Sequence, residues 1–383
     1  MSTGVTESNC IGPYFIFGKD GWVLPDFRAA SSPIWRTQPQ HNSTGRLYFT
    51  RYTDSNGNEI LSEYTSSVLK ATGTSYIDMD YSYVADDGSY EYTLRHVELP
   101  QTDENRTYYT LSLRFLKTTV LSDVKNQLEL FTYDSRESGF VYKNASYRAE
   151  DNTTAVITNK NTGEYSDIYV LGKEAPYFSY YGYDKWEKEP TYGANFGLIV
   201  SDSYVTAGGV EWDGNFVFKN EYDGTVNSGS LSLNETEMVF YRNDVIELQL
   251  ILLPYGEGED TSSDNVDYVI EDSVTHKFKL TSDSCEIVDD YYVPSVKAVE
   301  NEAVVTATGG RNNCVIKADG FTKLCVPKIY EQVDGEWVEY DYHARDNDGY
   351  SVEYEFGYYS YSFVCDMGDD PANASRTFKI VAE

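Results

Sequence analysis

Hydrophobic and polar residues alternate with a period of two along most of this chain, and Gly, Asn and Asp interrupt the alternation at intervals of roughly ten residues. Ser75 to Val84 reads S-Y-I-D-M-D-Y-S-Y-V, Asp86-Asp87-Gly88 turns the chain, and Ser89 to Leu99 alternates back, which predicts a hairpin. Asn56-Gly57 is a second turn signal, between Arg46–Thr53 and Glu59–Tyr64. Tyr108 to Phe115, Ser166–Leu171, Asn195–Val200, Gly214–Lys219 and Val245–Leu253 continue the series of strands. Helix is scarce. Ser122 to Leu130 could be capped at Ser122 and make two turns, but its apolar spacing fits a strand equally well.

Many short β-branched and aromatic strands with regular turns predict an all-β protein, a sandwich or barrel. Residues 1–290 exceed one small immunoglobulin-type sandwich, which leaves a large antiparallel two-sheet β-sandwich with long strands or two smaller sandwiches in tandem. With no Pro/Gly/Ser-rich linker before residue 285, the single large sandwich is favoured. Asp289 to Pro294, D-D-Y-Y-V-P, reads as an extended connector to a small β-sandwich over residues 294–383. Within that module Asp334-Gly335 stands between Pro327–Val333 and Glu336–Tyr342, a strong hairpin signal.

The last part of the chain carries a family resemblance. Glu355-x-Gly357-x-Tyr359, followed by alternating aromatics, resembles the tyrosine corner and following strand of immunoglobulin and fibronectin type III sandwiches. The resemblance implies that the Tyr359 hydroxyl pins the crossing between sheets, and Tyr361 stands where antibody-type domains carry a bridging cysteine. Such modules serve as spacers or as docking units for protein partners. In layout and aromatic richness, the large body followed by such a module is similar to bacterial cell-surface and carbohydrate-handling proteins, including those with mutarotase-like supersandwiches.

Composition narrows the partners. Lys and Arg number 30 against 62 Asp and Glu, a formal charge of -32, which disfavours nucleic acid and anionic membrane surfaces. Aromatics at 15% of residues separate the chain from disordered acidic sequences. No apolar run of about 18 residues occurs, so membrane insertion is not expected, and no signal peptide is recognisable in Met1 to Asn9. The five cysteines (10, 285, 314, 325 and 365) form no CxxC pair, and Cys314 and Cys325 could bridge neighbouring strands or stay buried thiols.

Candidate chemistry is sparse. Pro176 to Trp186 gathers Tyr177, Phe178, Tyr180, Tyr181, Tyr183 and Trp186, more rings than one sheet face can bury. Exposed rings beside carboxylates suit sugars, whose C–H faces stack on them, so Tyr177, Tyr180, Tyr181, Tyr183 and Trp186 are the candidate ligand-binding residues. Glu211 and Asp213 point the same way in an extended segment and are the candidate acid/base pair of a glycoside hydrolase or polysaccharide lyase. Asp78 and Asp80 form a similar pair. Four scattered histidines give no zinc or catalytic-triad spacing, and no cofactor is implied. Calcium is a minority option at Asp54-x-Asn56-Gly57-Asn58-Glu59 and Asp346-x-Asp348-Gly349, which lack full EF-hand spacing. The reading is a non-catalytic, extracellular or cell-surface glycan-binding protein. The alternatives are a carbohydrate-active enzyme and a structural or adhesive surface protein.

Overall fold

A computed structural model describes residues 2–3, 15–18, 21–24, 45–73, 77–98, 107–134, 142–159, 163–183, 195–223, 227–255, 278–288, 293–310, 313–342 and 350–383. They form an all-β protein, as the alternation predicts, whose strand pairs are antiparallel with one exception among those described. The ambiguous segment after Ser122 is both things in turn: one helical turn, Val124–Gln127, runs straight into the strand Leu128–Asp134. The chain divides into two compact units. The first comprises residues 1–67, 81–95 and 105–268; the second comprises 68–80, 96–104 and 269–383.

The first unit is a two-sheet sandwich. One sheet, the outer sheet, runs in the order Gly45–Thr53, Leu128–Asp134, Asn227–Leu233, Phe216–Tyr222, Tyr165–Val170, with shorter strands beyond Gly45–Thr53. The facing sheet contains Tyr142–Arg148, Tyr177–Tyr183, Asn195–Ala207, Val245–Tyr255 and Thr107–Phe115 side by side. Rings fill the space between the two. Phe178 stacks on Phe218 at 4.5 Å, Phe49 meets Tyr109 at 5.2 Å, and Tyr133 meets Tyr180 at 5.6 Å. Burying each such ring removes some 150–250 Å² from water, which makes these contacts the main cohesive term of the sandwich.

The strand Gly45–Thr53 is interrupted near its end. Thr50 takes a left-handed backbone conformation, φ 56°, so Phe49 and Tyr52, three residues apart, both turn inward and Arg51 turns out. Its cost is offset by tyrosines that satisfy the displaced carbonyls: Tyr90 donates to Thr50 O at 3.0 Å and Tyr92 to Phe49 O at 2.9 Å.

The second unit is a smaller sandwich. Tyr350–Glu355, Tyr358–Asp366 and Asn313–Phe321 pair in one sheet, where Ser295–Lys297 joins Asn313–Phe321 in the parallel exception. Lys279–Thr281, Glu302–Thr308, Ser375–Val381, Lys328–Val333 and Glu336–Glu339 form the other. Phe363 meets Phe378 at 5.5 Å across the core. Asp334-Gly335 makes the expected two-residue turn, with positive φ at both positions and Val333 facing Glu336. The tyrosine-corner reading is corrected. Phe356-Gly357 is the tip of a hairpin joining two neighbouring strands of one sheet, so no chain crosses between sheets there. The pinning hydroxyl belongs to Tyr361, which donates to Lys323 O at 2.6 Å and accepts the Cys325 N–H at 2.9 Å. Tyr359 packs its ring on Tyr354 instead, at 4.9 Å.

Candidate functional site

The aromatic run does not supply the exposed surface expected of it. Tyr177–Tyr183 is an interior strand, paired on one side with Tyr142–Arg148 and on the other with Asn195–Ala207. Tyr177 and Tyr180 are both 0% exposed, so neither can touch a ligand. Alternation turns Phe178 and Tyr180 into the sandwich, and Tyr177, on the opposite face, is enclosed there with its hydroxyl 2.9 Å from Thr154 Oγ1. The side chains of Tyr181 and Tyr183, and the whole of Trp186, lie outside the described residues.

Glu211 and Asp213 are exposed, but the structure gives them different surroundings. Glu211 ends the two-residue strand Val210–Glu211. Asp213 is bound by Lys173, whose Nζ lies 2.9 Å from its Oδ1 and 2.8 Å from its carbonyl oxygen. Trp212 between them donates its indole N–H to Glu235 at 2.9 Å. Asp213 does line a small cavity of about 160 Å³ with Lys173, Asp202 and Ser203, while Glu211 is not part of it. The structure therefore does not bring the two carboxylates into one cavity. The Asp78–Asp80 alternative is also engaged. Asp80 pairs with Lys70 at 2.7 Å and Asp78 is buried. In the Asp54 turn the carboxylate accepts the backbone N–H groups of Asn56 and Asn58 at 2.9 and 2.8 Å. The Asn58 side chain is the first of the donors that hold its pKa below the ordinary value. Asp346 and Asp348 lie outside the described residues, as do His41, His276 and His343. Among the described residues no group of three or more His, Cys, Asp or Glu side chains is placed to hold a metal ion, and no helix is long and apolar enough to cross a membrane.

A larger cleft, about 540 Å³, opens on the first unit and was not legible in the sequence. Arg51, Glu164, Tyr165, Ser166, Glu221, Tyr222, Asp223 and Ser228 line it. These residues come from four strands and the positions flanking two of them, up to 177 positions apart from Arg51 to Ser228, and the outer sheet brings them together. The Thr50 irregularity presents Arg51, which is held by Glu129 and by Glu59 at 3.0 Å. Glu221 faces Ser166 and Ser228 across adjacent strands. Its Oε1 receives the Ser166 hydroxyl at 3.0 Å and Lys219 at 2.8 Å. Tyr165 and Tyr222, direct partners across adjacent strands, stack at 5.8 Å on the face of the sheet opposite Ser166 and Glu221, with Tyr165 partly exposed at the strand end.

A buried polar chain on the inner face anchors Tyr165. The Tyr165 hydroxyl donates to Asn159 Oδ1 at 3.1 Å, and Asn220 Nδ2 donates to the same oxygen at 2.9 Å. Asn159 in turn donates to Tyr142 O at 3.0 Å. The Tyr180 hydroxyl lies 2.7 Å from Asn220 Oδ1 and 2.9 Å from Ser228 O, donating to one or the other. Gly229 makes room for it, because a Cβ there would stand 2.6 Å from the Tyr180 ring. The candidate ligand tyrosine is thus a support of the cleft rather than its lining. In chemical terms the cleft offers carboxylate acceptors, serine hydroxyls and one guanidinium, with acidic groups in excess and Tyr165 at its rim.

Ring surface is exposed elsewhere, on the second unit. Tyr354, Phe356 and Tyr358 crowd the hairpin tip, and Phe356 is 90% exposed. Val68 and Leu69 are also exposed in this unit.

No family model matches the chain, and no curated protein is significantly similar to it. Among solved structures it is similar to a GH36 alpha-galactosidase from Geobacillus stearothermophilus, with 9% identity over 67% of this chain and 41% of that one, TM-score 0.42. It is also similar to the alpha-galactosidase from Lactobacillus brevis, with 12% identity over 67% of this chain and 41% of that one, TM-score 0.36. A galactose mutarotase related enzyme from Lactobacillus acidophilus is matched at 9% identity over 68% of this chain and 99% of that one, TM-score 0.35. The chain spans about two fifths of the length of these alpha-galactosidases. Identities and scores at this level assign neither substrate nor chemistry to this chain.

Proposed function

We propose that the protein binds a neutral glycan, without turning it over, in the cleft of the first unit. The observation that carries this reading is the convergence of Glu164, Ser166, Glu221 and Ser228, with Tyr165 at the rim, in a cleft of about 540 Å³, the size of ordinary small-ligand sites. A pyranose has an apolar C–H face for the ring and hydroxyls that donate to carboxylates. Carboxylates outnumber the one arginine in the lining, so phosphorylated or acidic sugars are repelled. Substitution of Glu221 alone removes an acceptor without disturbing the core.

Affinity electrophoresis through gels containing neutral polysaccharides tests this. The wild-type chain is expected to be retarded by at least one of them, and Tyr165→Ala and Glu221→Gln to lose that retardation about tenfold while keeping the far-ultraviolet circular dichroism of the parent. Equal retardation of all three proteins would sink the reading, as would turnover of the retained polysaccharide for its non-catalytic part.

A second reading, adhesion through the hairpin tip of the second unit, is favoured by the exposed Phe356. It predicts surface attachment that survives Glu221→Gln and is lost in Phe356→Asn. Under both readings the second unit is a spacer or docking module of an exported protein, in keeping with the acidic, aromatic composition.

A further inference from the structure

Two cysteines that sequence spacing does not connect face each other in the second unit. Cys314 lies on Asn313–Phe321 and Cys365 on Tyr358–Asp366, and the antiparallel register makes them direct Cα partners. Directly opposed residues put their side chains on the same face of a sheet. Here it is the inner face, since both belong to the core with Ile316, Ala318, Tyr361 and Phe363. Facing Cα atoms in such a pair stand about 4.5–5.5 Å apart, inside the range of about 4.4–6.8 Å that disulfides span. Cys325, the partner that sequence spacing suggests for Cys314, is elsewhere. It lies past the end of that strand, half-buried, with its N–H given to the Tyr361 hydroxyl. Cys285 is half-buried next to Ser284, its Sγ 3.6 Å from the serine hydroxyl.

We propose that Cys314 and Cys365, thiols in this structure, become a cross-strand disulfide when the chain folds under oxidising conditions. One thiolate attacks a reagent disulfide, glutathione disulfide or that of a thiol–disulfide oxidoreductase, and releases one reagent thiolate. The second protein thiolate then attacks the mixed disulfide and releases the other. One S–S bond forms in the protein and one breaks in the reagent, which takes up two electrons and, as two thiols, the two protons. The step belongs to folding rather than to the finished protein. Cys365 is fully enclosed, and burial, with the neighbouring Cys314, pushes its thiol well above the ordinary range, so the native core holds little thiolate. A chain folded in a reducing compartment keeps both thiols, and one folded outside it is stapled between two neighbouring strands of one sheet, next to the end of their pairing.

The experiment is to refold the full chain from denaturant in a buffer of reduced and oxidised glutathione, block residual thiols, and digest without reduction for mass spectrometry. The expected product is a pair of peptides holding Cys314 and Cys365, joined and lighter by two hydrogens than their sum. Oxidised wild type should melt ~5 °C or more above its reduced form, a difference absent in Cys314→Ser/Cys365→Ser. Linkage of either cysteine to Cys285 or Cys325, or full blocking of both thiols after oxidative refolding, would overturn the proposal. The peptide readout uses the wild-type chain, so it stands even where the double variant does not fold.

Discussion

Tyr180 joins the two sheets of the first unit by ring and hydroxyl alike. Its ring packs against Tyr133, Tyr142 and Phe218, and its hydroxyl serves Asn220 or Ser228 in the interior. Removing the hydroxyl keeps the packing and leaves buried acceptors short of a donor, which costs about 1–3 kcal/mol. Tyr180→Phe is therefore expected to lower the free energy of unfolding by that amount, read as a lower urea midpoint with an unchanged slope; a midpoint equal to wild type would show the hydroxyl to be dispensable. The same residue shows what sequence alone could not reveal. A run of rings between turn signals looks like surplus surface, because alternation can hide only every second one. It ceases to be surplus when the strand is interior to its sheet and enclosed on both faces, and those neighbours come from positions 142–148 and 195–207.

At the level of strands and turns, local chemistry was readable wherever it decided the outcome. Asp334-Gly335 is a two-residue turn because aspartate and glycine tolerate positive φ, and Asp86-Asp87-Gly88 closes through the Gly88 N–H to Ala85 O bond at 2.8 Å. Phe356-Gly357 escaped recognition because phenylalanine is a poor resident of that position. Phe356 sits at φ 50° with its ring in solvent, a conformation that costs a non-glycine residue about 1–2 kcal/mol and that asparagine accepts more readily. Phe356→Asn should raise the stability of the protein by about 1 kcal/mol, read as a higher melting temperature; no gain would mean that the ring packs usefully in solution. The cleft was illegible for a different reason. Arg51, Tyr165, Glu221 and Ser228 share no local pattern, and only the order of strands in the outer sheet makes them neighbours.

Over the whole molecule, 36 tyrosines are the feature that sets the pH response. Burial is the chief cause that pushes Tyr52, Tyr169 and Tyr361 up to about 12, and it carries Tyr90, Tyr92 and Tyr180 higher still. A raised folded-state value means that the native protein holds protons that the unfolded chain releases. The stability tied to these groups is then complete below about pH 10 and is lost as the pH climbs through the folded values. Tyrosinate absorbance from the buried rings should accordingly appear only together with loss of structure; their ionisation with structure intact would contradict the burial described. The acidic surface and the all-β layout were evident from composition and alternation. The units, by contrast, draw residues 68–80 and 96–104 together with 269–383, an exchange that no composition shift along the chain marks. The central claim, that a neutral glycan sits in the cleft of the first unit, is tested most directly by a crystal structure of the protein soaked with an oligosaccharide that it retains. Density for the sugar should lie in that cleft, with a hydroxyl within hydrogen-bond distance of Glu221. Density confined to the Phe356 hairpin, or anywhere apart from that cleft, would contradict it.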